Sequence, residues 1–476
     1  MSLLYKLTLI LKYLRKRRIA WVSLLAVILC TAMVLVVISV MGGWLRMFKE
    51  GFHGATGDIV VGRPGSLAGF THYQEMIDKI EKLPEVNGAA PILRSGALMK
   101  IGGYRDVVQV VGIQAEKMAR VNGFAQSLHR QYELKGGATT QPAGFALPLA
   151  ASEYREAAPT AVTDPAEWPG VIVGTYVIAR KDENGDLKRP QMAYRLPMTI
   201  TVLGIDEQTS GVDINNKVQR PYWVVDDSRT KIWQIDDKTV YVPFELLQKD
   251  LRMEAFGEEP ARTNEIAIGL NLGADIDATR SKIEAIVQAV AKAHNLPFEG
   301  GGETASFNAP IKVMVWQEVN AKFIGAVERE KVLVTMLFGI ISIVAVFLIF
   351  CIFFMIVVEK TRDIGIVKSV GATSAGVAQI FLGYGLAIGL TGAILGTLAG
   401  YLIVKNINWL HEMMGKVMGV KIWDAETYAF DTIPNTLNPN EMIVIFCVAV
   451  VASVIGALVP AIRAARLNPV EALRWE

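Results

Sequence analysis

The stretch Glu359–Gly371, EKTRDIGIVKSVG, lies between two apolar runs. Neither Val332–Val358 before it nor Phe381–Val404 after it contains a charge. A hydrocarbon core of about 30 Å needs roughly 20 helical residues, so each run is long enough to span a bilayer. The short charged segment between them is too small to be a domain. It reads as a lever that another protein can push.

Outward from the lever, two further runs complete a set of four spans. Residues 1–18 carry Lys6, Lys12, Arg15, Lys16, Arg17 and Arg18 and no acid, and an uncharged stretch, Ile19–Leu45, follows. That stretch is about twice the length of a signal-peptide apolar region and lacks a small-residue cleavage site, so it reads as an uncleaved span. Met442–Ile462 is another apolar run, and the tail after it holds Arg463, Arg466 and Arg474. Basic flanks mark the cytoplasmic side. The expected order is a cytoplasmic N-terminus (1–18), a first span (19–45), an extracytoplasmic domain with stalks (46–331) and a second span (332–358). The lever (359–371), a third span (376–404), an extracytoplasmic polar loop (405–441), a fourth span (442–462) and a cytoplasmic tail (463–476) follow. The fold class is thus a membrane protein with four transmembrane helices and a large mixed α/β extracytoplasmic domain inserted between helices 1 and 2.

Composition fits this mixture. Over 476 residues, 52% are hydrophobic and 20% charged, with a net charge of +2; mean hydropathy is +0.34. The charge balance gives no reason to expect nucleic acid. Cys30, Cys351 and Cys447 all lie in apolar runs and read as small buried hydrophobes. The five histidines have no ligand spacing, which predicts no metal site. There is no G-x-x-x-x-G-K-[ST], nucleophile elbow or HExxH, and the spans carry no internal charge. No catalytic residue is expected, so an energy source has to enter from outside the chain.

Trp44, Phe48 and Phe52 follow the first span at i, i+4 and i+8. They suit a stalk continuing out of the membrane, or for Trp44 alone an interfacial anchor. Trp316, Val319, Phe323, Ala326 and Val327 form a similar stripe entering the second span, as a returning stalk or an ordinary surface helix. Between them, β-type runs (Ile59–Val61, Leu98–Ile101, Val107–Ile113, Val171–Val173, Thr199–Ile205, Tyr222–Val225, Thr239–Val242, Ile266–Leu270) alternate with helical runs (Tyr73–Leu83, Phe244–Met253, Asp277–His294). This predicts a βαβ-type subdomain with a β-rich insertion. Gly123–Gly170 reads as irregular. Asn184-Gly185 signals a hairpin; the nearby Asp182-x-Asn184-x-Asp186 lacks the Gly and Glu of a calcium loop. In the third span, Gly385, Gly389, Gly392, Gly396 and Gly400 share one face, a helix-packing seam or a substrate groove. On the lever, Ile364, Val367 and Val370 can share a face, with Arg362, Asp363 and Lys368 elsewhere. Such a helix can dock on a partner or lie on a membrane.

Two motifs carry a resemblance. EKTRDIGIVKSVGAT followed by a glycine-rich span, and the ending PAIRAARLNPVEALRWE, closely resemble the permease domain shared by MacB, FtsX and the lipoprotein-releasing ABC permeases LolC and LolE. SVMGGW and VWQEVNAKFIGAVEREK are similar to the lipoprotein-releasing branch, as is GIDEQTSGVD more weakly. The resemblance implies a dimer with a second permease copy or paralogue and a separate cytoplasmic ABC ATPase that binds ATP and Mg. It also implies work by mechanotransmission at the bacterial inner membrane, with the large domain in the periplasm. The coupling-helix role then falls on Glu359, Lys360, Thr361, Arg362, Asp363, Ile364, Gly365, Val367, Lys368 and Gly371. Extraction of lipoproteins towards a periplasmic carrier is the expected activity. A MacB-type efflux component and an FtsX-like scaffold for cell-wall hydrolases are the alternatives. MacB carries its own ATPase and FtsX a smaller outer domain, and the resemblance to LolC and LolE does not place Gly123–Gly170. Lys181–Leu196 is either a plain surface hairpin or the place of a carrier-recruiting one.

Overall fold

A computed structural model describes residues 18–64, 66–137, 143–146, 167–181, 187–189, 193–194, 197–205, 212–230, 232–298, 310–418, 432–435 and 437–468. The chain divides into a membrane unit (1–47, 325–423, 432–476) and an α/β unit (48–324, 424–431).

Among the described residues, four helices are long and apolar enough to cross a membrane: α1 (Arg18–Thr56), α9 (Ala321–Glu359), α11 (Ser374–Lys405) and α13 (Pro439–Arg466). Helix α1 runs without a break through the aromatic stripe to Thr56. Thr373 caps α11 by accepting from the Gly376 N–H, and Asn438 caps α13 ahead of Pro439. Helix packing in lipid depends on small residues, because apolar burial gives no drive there. Each glycine of the α11 stripe meets a neighbour. A Cβ at Gly385 would lie 2.6 Å from Ala457 Cβ, and one at Gly389 would lie 2.8 Å from Ser453 Cβ, both on α13. At Gly392, Gly396 and Gly400 the nearest atoms belong to Val27, Thr31 and Leu35 of α1, at 2.7, 2.7 and 2.9 Å. The stripe therefore serves two partner helices in turn. Gly456 of α13 similarly admits Ile349 and Val346 of α9.

Two expectations need correction here. Cys351 and Cys447 are exposed and Cys30 is half-buried; in a span, an apolar side chain can face lipid as well as protein, so an apolar run does not imply burial. The polar loop 405–441 also contains a helix, α12 (Ile407–Met418). Asn408 on it exchanges hydrogen bonds with the Ile433 backbone, at 3.0 and 2.9 Å.

In the α/β unit, β1 (Ile59–Gly62), β3 (Val86–Ile101), β12 (Glu265–Leu270) and β13 (Lys312–Val315) stand in the order β13-β1-β12-β3, each antiparallel to its neighbour. Helix α2 (Tyr73–Ile80) connects β1 to β3, and α7 (Ile276–Ala293) connects β12 to β13. These are two interleaved β-α-β units. Met76, Ile77 and Ile80 of α2 and Ile283, Val287 and Val290 of α7 bury against Ile59, Val61, Ile266 and Ile268. Asp275 caps α7 by accepting from the Asp277 and Ala278 N–H groups.

The insertion between β3 and β12 is a closed barrel. Strands β4 (Tyr104–Ile113), β5 (Gly170–Gly174), β8 (Pro197–Ile205), β9 (Val212–Ser228) and β10 (Thr239–Pro243) follow β3 in the order β3-β4-β10-β5-β9-β8. Ala97–Ile101 of β3 then pairs with β8 and closes the ring. Strand β3 is long enough to serve β12 with its first half and β8 with its second. Closure removes free edges. Met99, Val110, Val173, Met198, Ile200 and Val242 belong to the core of this barrel. Helix α3 (Ala115–Val121) packs on the opposite side from α2 and α7, with Met118 and Val121 against Ile92 and Ala267.

Part of Gly123–Gly170 is described, and it is pinned by buried acids. Asp226 accepts from the Arg130 and Gln131 N–H groups at 2.7 and 2.9 Å. Burial raises the Asp226 carboxyl above its ordinary range, against the backbone donors that favour the anion. The adjacent Asp227, fully buried, accepts from Thr175 Oγ1 (2.6 Å), Tyr194 (2.5 Å) and Arg189 Nε (3.0 Å). The two strands β6 (Arg180–Lys181) and β7 (Leu187–Lys188) pair antiparallel. The hairpin expected from Asn184-Gly185 between Val171–Arg180 and the run from Met198 is not formed by those runs, since β5 pairs with β10 and β9, and β8 with β9 and β3. Residues 182–186, with the Asn184-Gly185 tip, lie outside the described residues.

Candidate functional site: the lever and its seat

The lever forms a helix of its own, α10 (Thr361–Ser369), shorter at both ends than Glu359–Gly371. Glu359 is the last residue of α9. Gly371, with φ +101°, makes the turn into α11, a backbone conformation that side-chain-bearing residues rarely adopt. Lys360 sits at the helix entry in an ion pair with Asp363. The hydroxyl of Thr361 donates to the Val358 and Val357 carbonyls at 2.8 and 3.2 Å at the end of α9, where Val357 also accepts from the Lys360 N–H.

The faces of α10 differ from the expected division. Ile364 points into the bundle and packs with Ile356, Val357, Val377, Phe381 and Ala464. Thr361 and Gly365 are buried and Val367 is half-buried. The outward face carries Arg362, Ile366 and Val370, at i, i+4 and i+8. Ile366 is 48% exposed and Val370 84%. Ile364 therefore anchors the lever, and Ile366 takes the outward position beside Val370. The helical pattern alone could not tell which apolar stripe the spans would claim.

Lys368 has a role that the sequence did not signal. Its ammonium donates to the Ala465 and Leu467 carbonyls at 2.7 and 2.8 Å, at the C-terminal end of α13. These carbonyls have no intrahelical partner and lie at the negative end of the helix dipole, so a cation is favoured there. The lever is thus joined to α9 covalently, to α11 through Gly371 and to α13 through Lys368.

At the far end of the bundle, Lys331 of α9 and Glu441 of α13 lie 4.0 Å apart, with Gly42 of α1 beside them. A half-exposed pair such as this contributes at most about 1 kcal/mol. Between α1, α9 and α13 is an apolar cavity of about 240 Å³, lined among others by Val34, Ile38, Phe338 and Val448. The Ser342 hydroxyl at its wall donates to the Phe338 carbonyl of its own helix, while the Ser453 hydroxyl, also on the wall, is buried without a hydrogen-bond partner.

Within the α/β unit, four of the stalk residues come together. Phe48 and Phe52 stack at 5.7 Å, and Phe52 meets Phe323 at 5.6 Å. Trp316 stacks on His53 at 5.0 Å. Trp44, half-buried, belongs to the membrane unit. The second stripe is not one helix: Trp316 lies on α8 (Trp316–Val319), and α9 begins after Asn320. His53 also meets Asp58 at 2.6 Å, while the Leu270 N–H donates to the other Asp58 oxygen at 2.7 Å. Burial opposes the Asp58 charge, but the His53 contact and the Leu270 N–H outweigh it and hold the carboxyl below its ordinary range.

Residues 335–469 match the FtsX-like permease C-terminal family, and residues 20–147 match the MacB-like periplasmic core domain. The chain is similar to ABC permeases of the MacB–FtsX type. It is 24% identical over 475 residues to the lipoprotein-releasing system transmembrane protein LolC of Xylella fastidiosa strain 9a5c, covering 98% of each chain. It is 23% identical to the corresponding LolE of Haemophilus influenzae, covering 96% of this chain and 94% of that one. A LolC of Neisseria meningitidis serogroup B is 30% identical over 161 residues, 34% of this chain and 39% of that protein. The permease of this family is a membrane component and not itself an enzyme; an ATPase partner is implied by the family. The α10 lever and its seat fall inside the FtsX-like match.

Proposed function

We propose that this chain is the permease subunit of a lipoprotein-releasing system. A separate ATPase, binding ATP and Mg, docks on the Arg362–Ile366–Val370 face of α10. Its motion enters the bundle through Ile364 and through Lys368 on the end of α13. Helix α1 continues unbroken from Arg18 to Thr56 and gives that motion a stiff path out of the membrane. A second permease copy or paralogue completes the assembly at the bacterial inner membrane, with the α/β unit in the periplasm. Lipoproteins enter beside α1 and α9, where the apolar cavity offers an acyl chain a dry wall, and leave towards a periplasmic carrier. Extraction requires work, because acyl chains leave hydrocarbon at a cost of about 0.8 kcal/mol per CH₂. The observation that carries this reading is the near full-length similarity to LolC and LolE, spanning both the lever and the α/β unit.

The MacB-like match over residues 20–147 supports a second reading, an efflux component acting on cargo already in the periplasm. Depletion of the chain separates the two. Lipoprotein release predicts a several-fold rise in acylated proteins retained in the inner-membrane fraction. Increased susceptibility to toxic compounds, with lipoprotein distribution unchanged, would instead support efflux.

A further inference from the structure

The histidines lack ligand spacing in the sequence, yet the fold brings two of the five into contact. His72 precedes α2 and His294 follows α7, the two helices that cover one face of the β13-β1-β12-β3 sheet. Their imidazole rings stack with centroids 3.6 Å apart and planes inclined by 11°. Glu75, in the first turn of α2, places Oε2 2.8 Å from His294 Nε2. One ligand atom from each of His72, Glu75 and His294 lies within 4.8 Å of the others, and all three side chains are half-buried.

Two features suit this group to a cation. Lys79 donates to the other Glu75 oxygen at 2.8 Å, which fixes the carboxylate with Oε2 turned towards the histidines. The site also lies beside the C-terminal end of α7, where the carbonyl dipoles favour positive charge. Backbone strain marks the place as well. His72 has φ 57°, and Asn295, next to His294, has φ 52°. Left-handed conformations of this kind carry a cost and cluster at functional sites.

We propose that His72, Glu75 and His294 bind a divalent d-block cation of the zinc class, with water completing the coordination. Two nitrogen donors and one carboxylate suit zinc and its neighbours, and disfavour magnesium and calcium, which take oxygen ligands. The ion clips the start of α2 to the end of α7 and leaves the barrel and the membrane unit free of it. The site does not depend on the lipoprotein reading.

The test uses the full-length chain, untagged and chelator-treated, in detergent, titrated with Zn²⁺ against a chromophoric competitor. One equivalent per chain is expected. His294→Ala and His72→Asn should each weaken that binding more than tenfold, and Glu75→Gln less. Asn tolerates the left-handed backbone at position 72, so this variant keeps its fold. His129→Ala, remote from the cluster, should leave binding unchanged. Co²⁺ in place of Zn²⁺ should give a visible d–d band that both histidine variants lose. Undiminished affinity and stoichiometry in the His72→Asn/His294→Ala double variant, or no binding by the wild-type chain, would overturn the proposal.

Discussion

Replacing Ile366 and Val370 together with Asp is expected to abolish co-purification of the partner ATPase, while the variant permease still elutes as a folded, monodisperse species. The two side chains are the apolar part of the outward face of α10, at 48% and 84% exposure. Neither belongs to the buried cluster that holds Ile364. Apolar anchors at the centre of a docking surface typically carry 2 kcal/mol or more each. Two buried charges in their place should weaken the complex by about three decades or more. Ile364→Asp is the contrasting variant. It puts a carboxylate among Ile356, Val377 and Phe381, so it should damage the permease itself. Normal ATPase recovery with the Ile366/Val370 variant would show that docking lies elsewhere.

Gly396→Leu is expected to remove most of the folded protein. The added Cβ alone would lie 2.7 Å from Thr31 Cβ and 2.8 Å from the Ile28 carbonyl oxygen of α1. One obstacle is backbone and the other a β-branched side chain fixed at χ1, so neither yields cheaply. Overpacking costs about 1–3 kcal/mol where neighbours can move; here the helices must separate, and the loss should exceed that range. Gly339→Leu supplies the control, since nothing lies within 4 Å of its Cβ position. Size-exclusion profile and thermal midpoint in detergent report the outcome. A Gly396→Leu protein as monodisperse and as stable as wild type would mean that α11 does not pack on α1 through this seam.

Much of the fold was legible in the sequence because its signals are local. Span length and charge flank can be read from one window, and so can the alternation of β8, where Met198, Ile200 and Val202 turn inward. The long-range features were not. Closure of the barrel depends on β3 serving two different neighbours, which no pattern within Val86–Ile101 announces. The lever was legible as a charged helix between spans, but its orientation was not. Ile364 and Ile366 are chemically alike, and only the positions of α9, α11 and α13 decide which one is buried. The clamp of Lys368 on α13 joins residues about a hundred positions apart, and a lone lysine near a helix end gives no notice of it. The same holds for His72 and His294, which approach only because α2 and α7 cover one face of a sheet.

The most direct measurement uses proteoliposomes containing this chain, its co-purifying ATPase and an acylated protein, with a soluble periplasmic carrier outside. The account predicts release of the acylated protein that requires ATP and disappears with the Ile366→Asp/Val370→Asp variant. An intact, ATP-hydrolysing complex that releases none, or release that proceeds equally without ATP, would contradict it.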